Sequence, residues 1–168
     1  MRKLFLYCIY LFNSISYRYK SLTSYYQKNN FAKCGNNVSI DYDCYFTNSN
    51  IYCGNNVVIG RNALFMATLS NIYIGNYVMF APNVTIIGGD HRTDIKGRFM
   101  FNIKNNEKIP ENDKDVIIGD DVWIGCNVTI LKGVVIGRGS IVAAGSIVNK
   151  YNTPANSDHR VSLTKTLK

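Results

Sequence analysis

Proline occurs three times in 168 residues, tryptophan once and histidine twice. So little proline excludes a polyproline or collagen-like chain. Two histidines cannot make a three-histidine zinc centre, and no metal is expected. Acidic residues are scarce too, 11 against 19 basic ones, which leaves a net charge of +8 and favours phosphate-bearing partners. No nucleic-acid-binding motif accompanies that charge, so nucleic acid is not expected as a partner. Charged residues make up only 18% and apolar ones 46%, which excludes a disordered chain and suits one domain with a core.

Cysteine is present but never as CxxC. Cys8, Cys34, Cys44, Cys53 and Cys126 are read as reduced thiols, three of them in core positions, in a cytoplasmic protein. Long apolar runs are lacking as well. The run Leu4 to Phe12 follows two basic residues and imitates a signal peptide, but it is too short to span a bilayer and no small-residue cleavage site follows. Leu4, Cys8, Leu11, Ile15 and Leu22 fall on one helical face instead. Packing against the main domain or a neighbouring subunit is the expectation for this face. Peripheral contact with the inner membrane face is the alternative.

What the chain has in abundance is a period of six. From Ile118 it divides into IGDDVW, IGCNVT, ILKGVV, IGRGSI, VAAGSI and VNKYNT. IGNYVM and FAPNVT obey the same rule from Ile74. CGNNVV, IGRNAL and FMATLS follow it from Cys53, and CGNNVS, IDYDCY and FTNSNI from Cys34. The opening residue is expected to point inward and stack on its equivalent eighteen residues away. Gly, Asn and Asp are expected to tolerate a left-handed backbone at sharp corners. Three strand-and-corner units would close one triangular coil, and about five coils would stack as a solenoid.

These hexads, above all DVIIGDDVWIGCNVTILKGVVIGRGSIVAAGSIVNK at residues 115–150, resemble the hexapeptide-repeat acyltransferases, and within them the maltose/galactoside and polysaccharide O-acetyltransferase branch. The resemblance implies an all-β, left-handed parallel β-helix. Residues 1–33 would form a short N-terminal helical segment, 34–157 the β-helical acyltransferase domain and 158–168 an irregular basic tail. It also implies a long loop at 88–115 that carries the catalytic histidine, because FAPNVTIIGGDH resembles the family's approach to that residue. His91 is thereby the expected general base.

The chemistry asks for such a residue in any case. Acetyl transfer from a thioester to an alcohol needs the hydroxyl proton removed during attack, and imidazole suits that task at neutral pH. Asp90 or Asp94 could orient the ring, while His159 in the tail is set aside. Asn83 is read either as an acceptor-binding residue or as a corner-turning one. The resemblance further implies acetyl-CoA as co-substrate, held between neighbouring β-helices of a homotrimer. The matching cofactor positions are Cys126, Ala144, Asn149 and Lys150, with Lys165 near the expected basic position of the tail. Trp123 would face the same groove or the subunit contact. The family's tail resembles PPxSxxxGxPAKxIK, whereas this chain reads NTPANSDHRVSLTKTLK and lacks the GxPA element.

The expected function is an acetyl-CoA-dependent O-acetyltransferase acting on a hydroxyl of a sugar, in a surface polysaccharide or its precursor. A catalytically impaired trimeric scaffold and an antibiotic-modifying acetyltransferase are the alternatives.

Overall fold

A computed structural model of the chain describes residues 2–149 and 161–163. A 29-residue helix, α1 (Arg2–Asn30), comes first. The remainder winds as a parallel solenoid, each coil contributing one short strand to each of three sheets. The first coil is β1 (Lys33–Cys34), β2 (Val38–Ile40) and β3 (Tyr45–Phe46), and the second is β4 (Ile51–Cys53), β5 (Val57–Ile59) and β6 (Leu64–Met66). The third is β7 (Ile72–Ile74), β8 (Met79–Phe80) and β9 (Thr85–Ile87). After the long loop come β10 (Val116–Ile118), β11 (Trp123–Ile124) and β12 (Thr129–Leu131). The fifth is β13 (Val135–Ile136), β14 (Ser140–Val142) and β15 (Ile147–Val148), and β16 (Val161–Leu163) pairs with β14.

The hexad's first residue is the core. Ile118, Ile124 and Ile130 are buried, and they register with Ile136, Val142 and Val148 eighteen positions on. The fifth position fills the corners from inside, through Val57, Val78, Val84, Val122, Val128 and Val134. Four phenylalanines continue the core toward the helix. Phe46 lies 5.4 Å from Phe31 and 5.1 Å from Phe65, and Phe65 lies 5.2 Å from Phe80.

The sequence reading assigned Gly, Asn and Asp one common duty, and the structure divides it. The left-handed backbone belongs to the fourth position, as in Asn56 (φ 58°), Asn83 (φ 62°), Asn127 (φ 55°) and Gly145 (φ 75°). Glycine at the second position answers to crowding between coils. A Cβ on Gly54 would lie 2.6 Å from the carbonyl oxygen of Gly75 in the next coil. The wealth of asparagine has a further cause. The Oδ1 atoms of Asn55, Asn76 and Asp120 each accept the backbone N–H of the preceding coil, at 2.8, 2.9 and 2.6 Å. These ladders satisfy corner N–H groups that the sheets leave unpaired.

The helix departs from expectation. Its apolar face does not pack on the domain, since Leu11, Ile15 and Leu22 are 41%, 67% and 66% exposed and Cys8 is exposed as well. The side chains turned toward the solenoid are Thr23, Ser24, Gln27 and Lys28, on the opposite side of the helix. Lys28 Nζ donates to the Val38 carbonyl at 3.2 Å, and Phe31 closes the solenoid's end. Among the described residues, only the last turns of α1 are anchored to the solenoid.

All five cysteines are free. Cys53 is buried, and burial first, then the neighbouring Cys34, pushes its thiol up to about 12.

Candidate active site

The three edges of the prism are not equivalent. Turns between the first and second sheets, and between the second and third, are tight. Every insertion falls on the third edge, where the chain returns from third sheet to first: residues 47–50, 67–71 and 88–115. His91 leaves the solenoid there, four residues beyond β9.

Two glycines make its exit possible. Gly88 donates to the Met66 carbonyl at 2.7 Å, and a Cβ on it would run into Ser70 and Ala67. Gly89 forms an antiparallel bridge with Asp113, and a Cβ there would meet the Asp113 carboxylate. Lys114 N–H donates to the Gly88 carbonyl at 2.9 Å, and Asp90 N–H to the Asn112 carbonyl at 2.8 Å. The base of the loop is therefore zipped shut, and His91 stands immediately beyond the zip.

A cleft of about 470 Å³ opens beneath it. Met66, Thr68 and Ile87 form its solenoid side, and Asp90, His91, Asn105, Lys108 and Asp113 come from the loop. Lys108 and Asp113 pair at 2.9 Å with side chains only 15% and 8% exposed. Asn112 is buried and joins several strands of the loop. Its Nδ2 donates to Asp90 Oδ1 at 3.1 Å and to the His91 carbonyl at 3.4 Å, while its Oδ1 accepts Ile109 N–H at 3.1 Å.

Neither aspartate considered from sequence holds the imidazole. Asp90 pairs with Lys132 Nζ at 2.6 Å. Partial burial raises its pKa, but the hydrogen bonds from Lys132 and Asn112 outweigh that and hold it below the usual carboxylate value. Asp94 is taken by Arg92 Nε at 2.8 Å. What the carboxylates orient is the backbone that carries His91.

The other expected site residues distribute over two edges. Cys126 and Ala144 stack on the edge between the second and third sheets, where Gly145 N–H donates to the Cys126 carbonyl at 2.8 Å. Asn83 turns a corner of that same edge, in a ladder with Asn62 and Asn127 at 3.1 Å on each side, and does not line the cleft. Asn149 follows β15 on the histidine's edge, two coils on from β9, about 10 Å by the spacing of strands. Lys150, Lys165 and His159 lie outside the described residues, as does most of the tail. Trp123 stands on the outer face of the second sheet, 48% exposed, registered between Met79 and Ile141. Sequence reasoning missed Lys108, Asn112, Asp113 and Lys132. None of them left a signal: in ILKGVV it is Leu131 that replaces the usual Gly, and Lys132 stands at the third position, where Asp120 and Arg138 stand in their own hexads.

The loop's outer half is clasped by charge. Arg98 donates to both oxygens of Glu107 at 2.6 and 2.9 Å, and Lys104 N–H adds a third bond at 2.7 Å. The Arg98 bonds foremost, then the Lys104 amide, bring the Glu107 carboxyl from 4.5 down to about 2. A depressed carboxyl stabilises the folded loop above its unfolded value and loses that contribution as pH falls through the folded one. Hydrogen exchange should therefore show the Glu107 and Lys108 amides losing protection between pH 4.5 and 2, with core amides unchanged. Undiminished loop protection across that window would show that the clasp does not order the loop.

Comparison with known proteins agrees with this architecture. The family model described as bacterial transferase hexapeptide (six repeats) matches residues 115–150. A maltose O-acetyltransferase from Clostridium difficile 630 is 31% identical, with a TM-score of 0.64 over 76% of this chain; that alignment spans 64% of the enzyme, under two thirds of its length. A hexapeptide-repeat-containing acetyltransferase from Vibrio cholerae O1 biovar eltor, solved with acetyl coenzyme A, is 30% identical with a TM-score of 0.66. The aligned region covers 81% of this chain and 68% of that one. A variant of an N-acyltransferase from Bacillus cereus, complexed with dTDP and coenzyme A, is 23% identical with a TM-score of 0.53 over 73% of this chain and 76% of its own, and shares the fold. No curated protein matches the chain. The chain belongs to the hexapeptide-repeat acetyltransferases.

Proposed function

We propose that the protein is an acetyl-CoA-dependent O-acetyltransferase that modifies a sugar hydroxyl of a surface polysaccharide or its precursor, with His91 as general base. The observation that carries this reading is the position of His91, exposed at the mouth of the cleft on a loop zipped to the solenoid at its base. The acetyl-CoA complex of the Vibrio cholerae relative and the maltose acceptor in the name of the Clostridium difficile one support the donor and the acceptor class.

In the reaction the imidazole removes the acceptor's hydroxyl proton as that oxygen attacks the thioester carbonyl. The tetrahedral intermediate collapses, the C–S bond breaks, and the imidazolium returns the proton to the departing thiolate. The products are the acetyl ester and free coenzyme A. A backbone N–H facing the carbonyl would stabilise the oxyanion.

The cofactor positions favour a homotrimer. Cys126 and Ala144 sit on a different edge from His91, so a groove holding both sets needs two copies side by side. The side chains of Cys126 and Ala144 are small and leave the backbone open to the pantetheine arm. Lys150 and Lys165 would meet its phosphates as point charges. An apolar ladder of Val58, Met79, Trp123 and Ile141 crosses the outer face of the second sheet and suits the subunit contact. Acetyl-CoA as donor places the reaction in the cytoplasm.

The test is release of free thiol from acetyl-CoA in the presence of maltose, galactosides or purified polysaccharide. Acceptor-dependent release supports the reading. Acetyl-CoA binding without transfer to any acceptor would favour the scaffold. Trp123→Glu should convert a trimer to monomers in sedimentation velocity and abolish transfer with them. A Trp123→Glu protein that stays trimeric would move the interface elsewhere.

A further inference from the structure

Helix α1 presents an unusual surface for a stretch of chain that no other described residue covers. Phe5, Tyr10, Phe12, Ile15, Tyr19 and Leu22 are between 66% and 71% exposed. Apolar residues surround the first three turns on all sides, because Leu4 to Phe12 is unbroken. Further along, Cys8, Leu11, Ile15 and Leu22 share one face, which points away from the solenoid. Arg2, Lys3, Arg18, Lys20, Lys28 and Lys33 are basic, and the first carboxylate of the whole chain is Asp41.

We propose that α1 docks the protein on an anionic lipid surface, laying its Leu11–Ile15–Leu22 face into the headgroup boundary while its exposed Arg18 meets lipid phosphates and its positive charge draws it to the surface.

Charge and shape both select this partner. A helix whose charged residues are all basic and that is rich in leucine, phenylalanine and tyrosine has the composition that sits in a bilayer interface, with aromatic rings at headgroup depth. Its positive charge is attracted by the negative potential of an anionic leaflet and repelled by a second copy of itself. A coiled coil between copies would cover one seam and leave the rest of the first turns bare. Lipid covers whatever faces it. Insertion stops at the interface, because no helix among the described residues is long and apolar enough to cross a membrane. Anchorage through the last turns alone lets the first twenty residues lie along a surface without disturbing the coils. Docking stands apart from the reaction and does not depend on it.

The experiment is co-sedimentation of the full chain with vesicles of phosphatidylcholine alone, or mixed with phosphatidylglycerol, at low and high salt. The protein should pellet with the mixed vesicles, weakly with the neutral ones, and be released by salt. The triple variant Leu11→Gln, Ile15→Gln, Leu22→Gln should bind the mixed vesicles roughly tenfold more weakly or worse. Its Tm should match that of the unmodified chain, because all three side chains are exposed and glutamine keeps the helix. Failure to bind mixed vesicles overturns the proposal, as does equal binding to neutral ones. A triple variant that binds undiminished also overturns it. A triple variant whose only change is a smaller oligomeric mass would reassign the face to contact between copies.

Discussion

His91→Ala should lower kcat for acetyl transfer by roughly 10²–10⁴-fold, the usual worth of a positioned general base. That corresponds to about 2.7–5.4 kcal/mol of barrier. The KM for acetyl-CoA should move far less, because the proposed cofactor positions Cys126 and Ala144 lie on another edge of the prism. The Tm should barely move, because His91 is exposed. That separation makes the variant informative. Its neighbours would not behave so. Removing the Asp113 carboxylate leaves Lys108 charged and nearly buried, and Asp90→Asn takes from Lys132 its carboxylate partner and leaves it only the Glu111 carbonyl, so both should loosen the loop as well as slow transfer. Steady-state kinetics with thermal unfolding of the same preparations distinguishes the cases. Undiminished transfer by His91→Ala would remove the base assignment altogether.

Phe65→Ala should be the most damaging substitution in the core, costing about 3–5 kcal/mol and lowering Tm by roughly 6–20 °C. Phe65 is the largest fully buried side chain, and its ring contacts both Phe46 in the first coil and Phe80 in the third. A truncation there opens a cavity that the flanking strands cannot close, because the parallel ladders β3–β6 and β6–β9 fix their spacing. Phe65→Leu keeps most of the volume and should cost under about 1.5 kcal/mol. Denaturant unfolding of the pair measures the difference. A Phe65→Ala loss below roughly 1 kcal/mol would mean that the second coil relaxes freely and does not carry the column.

The solenoid was legible because its signal is repeated. Each hexad restates one geometry, so an error at Cys34 or Phe46 is outvoted by Ile118, Ile124 and Ile130. The loop states its geometry once. Lys108, Asn112 and Asp113 follow no period, and their meeting with Gly88, Gly89 and Asp90 depends on chain reversal across some twenty residues. Nothing in GGDHRTD announces that Asp90 will pair with Lys132 from the next coil. Helix α1 misled for another reason. Amphipathic spacing says that Leu11, Ile15 and Leu22 share a face, but not what that face meets.

The sequence by itself determined the triangular solenoid, the place where it is interrupted, and the histidine at the interruption, because six-residue periodicity is a local property that stacking only amplifies. Tertiary structure alone decided three things. It put all the insertions on one edge, which follows from three hexads closing each coil. It placed two of the expected cofactor positions, Cys126 and Ala144, on a different edge from His91 and a third, Asn149, on the same one, because their offsets from whole coils differ. It also turned the apolar face of α1 outward, since Phe31 and Lys28 at the helix's end set its rotation on the first coil. Offsets and rotations are sums over the whole chain, and no single motif contains them.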